Sequence, residues 1–419
     1  MTEIELGYGR GSMGFAYDEQ RFGVLAPPLA AEQPLSDADI GAALEAAIES
    51  PPLEELLSSG ESVLIVVSDA TRATASAQIV NLLIRRLIQF GIAAGDIAII
   101  FATGIHRPVT QNERLQLLTP FIVQRIKILE HDAYDPQWLL RLGELGCGTP
   151  IELNRALKEY SHVIITGAIG FHYFAGFTGG RKSICPGLAS AQTIAATHML
   201  ALDFENGGRR PGVGTGLLDG NAVHEACERI AGLINPSFSI NTIVDEQGRA
   251  VRVYAGHWRA AHRRACDEYL DKHTIRITSK REVVIASCGG FPWDINLIQA
   301  HKAMDMAARA CKEGGTIILL AECADGLGRA DFLKWFAQEN SRSLESRLRE
   351  AYEVNGQTAW SLLLKTEAHR VHLISELADD QVRSMRMIPA RTLNEVMRDT
   401  AKPLAGYILP RGAAILPVT

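Results

Sequence analysis

Histidines, cations and one carboxylate recur in this chain at a single kind of place, just beyond short runs of apolar, mostly β-branched residues. Asp69, Thr71 and Arg72 follow Val63-Leu64-Ile65-Val66-Val67. His106 and Arg107 follow Ile97-Ala98-Ile99-Ile100-Phe101, and His172, Arg181 and Lys182 follow Val163-Ile164-Ile165. Gln299 and Lys302 stand a little beyond Val283-Val284-Ile285-Ala286. Cations suit an anionic substrate, and imidazoles that titrate near neutrality suit proton exchange with it. Polar residues are common after any strand, so no one of these carries the inference; the set does.

The densest segment runs from Gly167 to Ser183 and holds five glycines, with Gly179 and Gly180 directly before Arg181 and Lys182. Backbone N–H groups in such a loop can cradle a phosphate that the two cations neutralise. The plain alternative is a tight crossover loop. A P-loop is excluded on two counts. Arg181 separates the last glycine from Lys182, and Ile184-Cys185-Pro186-Gly187 would break the helix that a P-loop must open into. The N-terminal Gly7-Tyr8-Gly9-Arg10-Gly11-Ser12 has dinucleotide-like glycines, but no helical stretch follows and a hairpin or turn is expected. His198 lies instead in a helical stretch, Ala191 to Leu200, with Ser190 as its N-cap. A lone histidine there is usually structural. This one follows the Gly-rich loop closely enough to face the same crevice as Lys182, and neutral imidazole is a common ligand of borderline metals. His131, His224, His257, His262, His273, His369 and His372 lack such company.

The elements that must position these groups repeat one pattern: a buried strand, a polar loop, an amphipathic helix. After Val63–Val67, Ser76 is expected as an N-cap, Ile79, Leu83 and Leu87 share one helix face, and Gly91 ends the helix. Fully apolar strands alternating with such helices predict an α/β fold of two domains, each with a largely parallel sheet flanked by helices. Ligands of these sheets bind outside the carboxyl ends of the strands. With 419 residues the chain exceeds the roughly 250–300 at which a single core stops growing. Residues 1–275 are expected to form a cofactor-binding domain and 280–399 a second α/β domain. The 400–419 tail, apolar from Tyr407 to Val418, is expected to return to the first domain as a strand.

Composition narrows the partners. A formal charge of −6 with no basic run argues against nucleic acid. No apolar window is long enough for a membrane span, and the first residues lack a signal-peptide pattern. Seven cysteines without a C-x-x-C pair fit a reducing compartment, so a cytoplasmic location is expected.

His172-Tyr173-Phe174-Ala175-Gly176-Phe177-Thr178-Gly179-Gly180-Arg181-Lys182, with Pro186-Gly187 beyond, resembles the signature of the nickel-pincer nucleotide-dependent lactate racemases, and the resemblance extends over essentially the whole chain. It implies racemisation or epimerisation of a small 2-hydroxy acid by reversible hydride transfer. The cofactor it implies is a pyridinium mononucleotide with two sulfur groups and nickel, joined covalently to Lys182 and supplied by cofactor-synthesis proteins. His198 matches the nickel ligand, and His106 and His172 match the two catalytic histidines. Arg72 and Lys302, with Gln299, match residues that hold the substrate. Asp69, Thr71, Gly179, Gly180, Arg181 and Trp360 fall at positions near the cofactor. Two departures, Ala70-Thr71-Arg72-Ala73 in place of His-Thr-Arg-Pro and Ile298 where an aromatic is usual, leave the particular hydroxy acid open. Two other classes fit the residues alone: a nucleotide-binding protein of different activity, and an enzyme forming a Schiff base on Lys182.

Overall fold

The computed structural model describes residues 1–26, 33–398 and 405–419. The chain divides into two compact units. One comprises Ala30–Ala201 and Arg210–Tyr269; the other comprises Met1–Leu29, Leu202–Arg209 and Leu270–Thr419.

In the first unit a six-stranded sheet runs in the order Ala250–Gly256, Phe238–Val244, His162–Ala168, Val63–Ser68, Ile97–Ala102, Lys127–Leu129. Its strands are parallel except for the antiparallel edge strand Ala250–Gly256. Val66 stands opposite both Ile100 and Ile165, so the central strands end together and their loops emerge on one edge. Val63 to Val67 are wholly buried, as a parallel sheet covered on both faces requires. The helix Ser76–Phe90 buries Ile79, Val80, Leu83, Ile84 and Leu87 against this sheet's core, and Gly91 closes it at φ +112°. Burying such side chains contributes about 1.5–3 kcal/mol each. Ser76 is the first helical residue rather than the cap. Ala75, left-handed at φ +52°, precedes it, and the Ser76 hydroxyl bonds Thr74 Oγ1 at 2.5 Å.

The second unit's sheet is parallel throughout, in the order Ile388–Ala390, Arg370–Ile374, Cys311–Leu320, Arg281–Ser287, Gly406–Leu409, Phe22–Val24. Two expectations are corrected here. The tail strand Gly406–Leu409 pairs with Arg281–Ser287 in this second sheet and does not return to the first domain. Leu416–Val418 pairs with Thr274–Arg276, across the boundary expected at 275 and within the unit that holds Leu270–Thr419. Residues 400–404 of the expected tail lie outside the described ones. The N-terminal residues also leave the expected 1–275 domain. Thr2–Tyr8 and Gly11–Tyr17 form the anticipated hairpin, which packs Leu6, Phe15 and Tyr17 into the core of the second sheet. Both errors have one cause: an apolar strand shows its pattern locally, but its partner is chosen by packing far away in sequence. Among the described residues no helix is long and apolar enough to cross a membrane.

Candidate active site

The loops at the carboxyl ends of the first unit's strands gather most of the residues singled out by the sequence. Beyond Val63–Ser68, the Asp69 carboxylate is buried and fully engaged. Its Oδ2 lies 2.7 Å from His106 Nδ1, and its Oδ1 accepts from the Thr71 hydroxyl at 2.6 Å and the Thr71 N–H at 3.1 Å. Burial alone would raise the Asp69 pKa, but the bonds from His106 and Thr71 and the charge of Arg72 hold it below the ordinary value. Asp69 therefore stays an anion and fixes the proton of His106 on Nδ1, leaving Nε2 as the basic nitrogen.

His172 sits in the short antiparallel pair Phe171–His172 and Gly176–Phe177. Its Nδ1 accepts the N–H of Ala175 at 3.2 Å, and its Nε2 is 3.3 Å from Lys182 Nζ. Lys182 follows Gly179, at φ +76°, and Gly180, at φ +49°, in a single 3-10 turn, Gly180–Ser183. No α-helix opens there, as expected for a loop that is not a P-loop. Burial, reinforced by the charges of Arg181 and Arg72, pushes the Lys182 pKa down to about 7. Lys182 also lies over the Phe174 ring, 5.6 Å from its centroid.

The same ring packs edge-on against His198 at 4.9 Å. His198 lies in the last turn of the helix Ala191–Met199, whose N-cap Ser190 accepts from Thr193 N at 3.1 Å as the sequence predicted. The Thr197 hydroxyl donates to backbone carbonyls, 2.9 Å from Ile194 O and 3.1 Å from Thr193 O. Towards His198 Nδ1, 3.3 Å away, its oxygen can therefore only accept. That places the proton on Nδ1 and leaves a lone pair on Nε2, the arrangement a metal-binding imidazole needs. Burial, with the Lys182 charge, pushes the His198 pKa down to about 3, so the ring is neutral.

Arg181 departs from expectation. Its guanidinium is 1% exposed and turned inward, donating to Ala175 O at 2.7 Å and meeting His262 Nε2 at 2.9 Å. It braces the loop, and its buried Nε has no hydrogen-bond partner among the described residues. Its partner His262, together with Asn241, carries no mark in the sequence. Asn241 Oδ1 accepts the N–H of Gly180 at 2.9 Å, and a Cβ on Gly180 would stand 2.5 Å from the His262 ring. No local pattern signals either residue, because each reaches the loop from a distant element. A cavity of about 240 Å³ bounded by His224, His262, Arg259 and Arg263 lies near this brace and is lined by none of the expected site residues. Cys185 and Cys227, both buried beside Lys182, are further neighbours that the sequence did not flag.

Within the second unit, Gln299 and Lys302 stand one turn apart on the helix Leu297–Ala310, with Lys302 Nζ bonded to Gln299 Oε1. Asn296 caps this helix, accepting from Gln299 N at 3.0 Å. Trp360 is buried on the helix Val354–Ala368, and its indole N–H has no hydrogen-bond partner among the described residues.

Two family models match: the lactate racemase N-terminal domain over residues 8–208 and the lactate racemase C-terminal domain over residues 277–408. The chain is 31% identical over 412 residues to a lactate racemase of Thermoanaerobacterium thermosaccharolyticum, covering 95% of this chain and 94% of the relative. It is 32% identical to a lactate racemase of Lactiplantibacillus plantarum, again with 95% and 94% covered. The solved lactate racemase apoprotein of T. thermosaccharolyticum superposes with a TM-score of 0.90 at 29% identity, covering 100% of both chains. A Thermotoga maritima protein shares the fold alone, with a TM-score of 0.71 at 19% identity over 92% of this chain and 98% of that one. With relatives this similar along nearly its whole length, the chain belongs to the lactate racemase family of isomerases.

Proposed function

We propose that this protein racemises a small 2-hydroxy acid, lactate being the first substrate to test, with a nickel-pincer nucleotide carried on Lys182 and nickel bound by His198. The observation that carries the reading is the placement, around the Phe174 ring, of an amine whose pKa burial lowers to about 7 and of a neutral imidazole. Covalent attachment requires a nucleophilic amine, and a borderline metal requires an unprotonated nitrogen; the donor chemistry present fits both needs. Among the described residues no cluster of three or more metal-ligating side chains occurs, which suits a group that brings its remaining donors with it.

When bound, the cofactor supplies a hydride acceptor, so the stereocentre can become planar and re-form in either configuration. The chain's own groups handle charge and protons. Arg72 holds the substrate carboxylate through its planar fork. His106, oriented by Asp69, takes the hydroxyl proton at Nε2 and returns it. His172 serves the opposite enantiomer. Gly179 and Gly180 let the backbone approach the nucleotide, and Thr71 keeps Asp69 in place. Gln299 and Lys302, as substrate-holding groups, and Trp360, as a cofactor neighbour, take their roles from the family resemblance. Maturation by cofactor-synthesis proteins and a cytoplasmic location complete the reading; the six described cysteines are all free, which supports a reducing compartment.

The test is an intact mass and a nickel content for protein co-expressed with cofactor-synthesis proteins, with interconversion of D- and L-lactate assayed on the same sample. A mass increment on Lys182, bound nickel and racemisation are expected together. A neutral lysine is also what a Schiff base requires, so borohydride trapping of substrate on nickel-free protein is the outcome that would favour that second reading.

A further inference from the structure

We infer that Asp305 and Lys365 form a positioning pair that sets the rotation of the Lys302-bearing helix against the Trp360-bearing helix. The inference rests on the roles proposed above for Lys302 and Trp360. Asp305 lies one turn beyond Lys302 on Leu297–Ala310, and Lys365 lies little more than a turn beyond Trp360 on Val354–Ala368. Both side chains are buried. Lys365 Nζ is 2.9 Å from Asp305 Oδ1, 2.9 Å from Ser361 O and 2.8 Å from Ser361 Oγ, so all three ammonium protons are used. Ser361 directly follows Trp360. The ammonium is thus tied at once to the backbone beside Trp360 and to the helix that presents Lys302.

Other charged groups at this carboxylate are cations: Arg209 Nη2 at 3.8 Å from Oδ1 and Arg309 Nε at 4.0 Å from Oδ2. The nearby imidazole of His301 is turned to Ile298 O at 2.6 Å, and burial, with the charges of Lys365 and Lys302, keeps it neutral. Two apolar side chains could join these helices at no desolvation cost, and replacing a buried ion pair by such residues is often harmless to stability. An apolar contact tolerates small rotations, however, whereas an ammonium with three fixed acceptors tolerates few. What the pair adds is a defined register between the two helices, and therefore between Lys302 and Trp360.

The experiment uses cofactor-loaded enzyme and compares Asp305→Leu/Lys365→Met with the parent in Tm, nickel content and steady-state lactate racemisation. Unchanged Tm and nickel with a tenfold or greater loss of kcat/KM is expected. In a Lys302→Ala background the same double substitution should cost less than twofold more, because the positioned group is already gone. Full activity of the double variant, or an equal loss in both backgrounds, overturns the inference. If the apolar pair does not fold, Asp305→Glu, which keeps the charge on a longer arm, takes its place with the same two-background comparison and the same criteria. Lys302→Ala alone at full activity would overturn the proposed role of Lys302, and this inference with it; an impaired Lys302→Ala beside a fully active double variant overturns this inference only.

Discussion

Lys182 Nζ and His172 Nε2 lie 3.3 Å apart with room for one proton between them, and the other ring nitrogen decides where it sits. Nδ1 of His172 already accepts the N–H of Ala175, so Nε2 carries the proton and the lysine nitrogen accepts it. An ammonium could not, and the lysine pKa of about 7 agrees. Lowering of this pKa means that the reactive amine is fully present above about pH 7 and is lost as the pH falls below it. The rate at which Lys182 is acylated, by cofactor or by a small reagent, should therefore be half-maximal near pH 7 and level off about one unit above it. A lysine at its ordinary value of 10.5 would keep gaining rate through pH 9. Lys182→Ala should show neither the mass increment nor racemisation, and full activity in that variant would remove the residue from its role.

His106→Ala and His172→Ala should each cripple racemisation while leaving nickel and the mass increment in place. General acid–base catalysis typically contributes about 10²–10⁴ in rate, so a loss below tenfold in both variants is too small for the proposed roles. Each variant should keep one half-reaction, seen by rapid mixing as an absorbance change with a single enantiomer.

Asp69→Asn tests the orientation of His106. The amide cannot hold the proton on Nδ1 by charge, and a kcat loss of about 10²-fold or more with normal nickel content is expected. Because the Asp69 pKa is depressed, protonation of this carboxylate should not appear in the acid limb of the parent profile until the pH falls below the ordinary carboxylate value of 3.8. Stability linked to Asp69 should be present above that value and fade as the pH falls through its lower folded pKa.

His198→Ala should release nickel on dialysis while the far-ultraviolet circular dichroism and Tm stay close to the parent. Stoichiometric nickel after dialysis would assign the ligand elsewhere.

Gly176→Ala and Gly91→Ala separate conformational strain from collision. Both glycines have positive φ, +77° and +112°, but a Cβ on Gly176 would stand 2.1 Å from Leu217 O whereas nothing lies within 4 Å at Gly91. The Gly91 variant should lose about 1–2 kcal/mol from backbone strain, and the Gly176 variant clearly more in the same denaturant titration. Equal losses would mean that the loop yields.

The parts legible in the sequence were those written locally. Val63–Val67 and Ile97–Phe101 announce buried strands by composition, and the loop at the carboxyl end of a strand in such a fold lies at the ligand edge. That rule alone puts Asp69 and His106 at the same edge, and the structure joins them by a hydrogen bond. Ser190 and the helix carrying His198 were likewise local. The inward turn of Arg181 was not legible, because a cation beside Lys182 gives no sign of which way it turns. Its inward path is set by Ala175 O and by His262, the latter some eighty residues away in the chain. Asn241 reaches Gly180 from a neighbouring strand in the same manner. The tail failed for a related reason, since parallel pairing leaves no mark in either strand alone.

That pairing sets an order of events during synthesis. Phe22–Val24 is made long before Gly406–Leu409, the strand it pairs with among the described residues. The unit built from 30–201 and 210–269 has all its strands in hand once residue 269 has emerged, and can close while translation continues. The second sheet cannot be completed until residues 406–409 have emerged. Until then the hairpin of residues 2–17, with Leu6, Phe15 and Tyr17, is an apolar surface awaiting a sheet that has not yet been made.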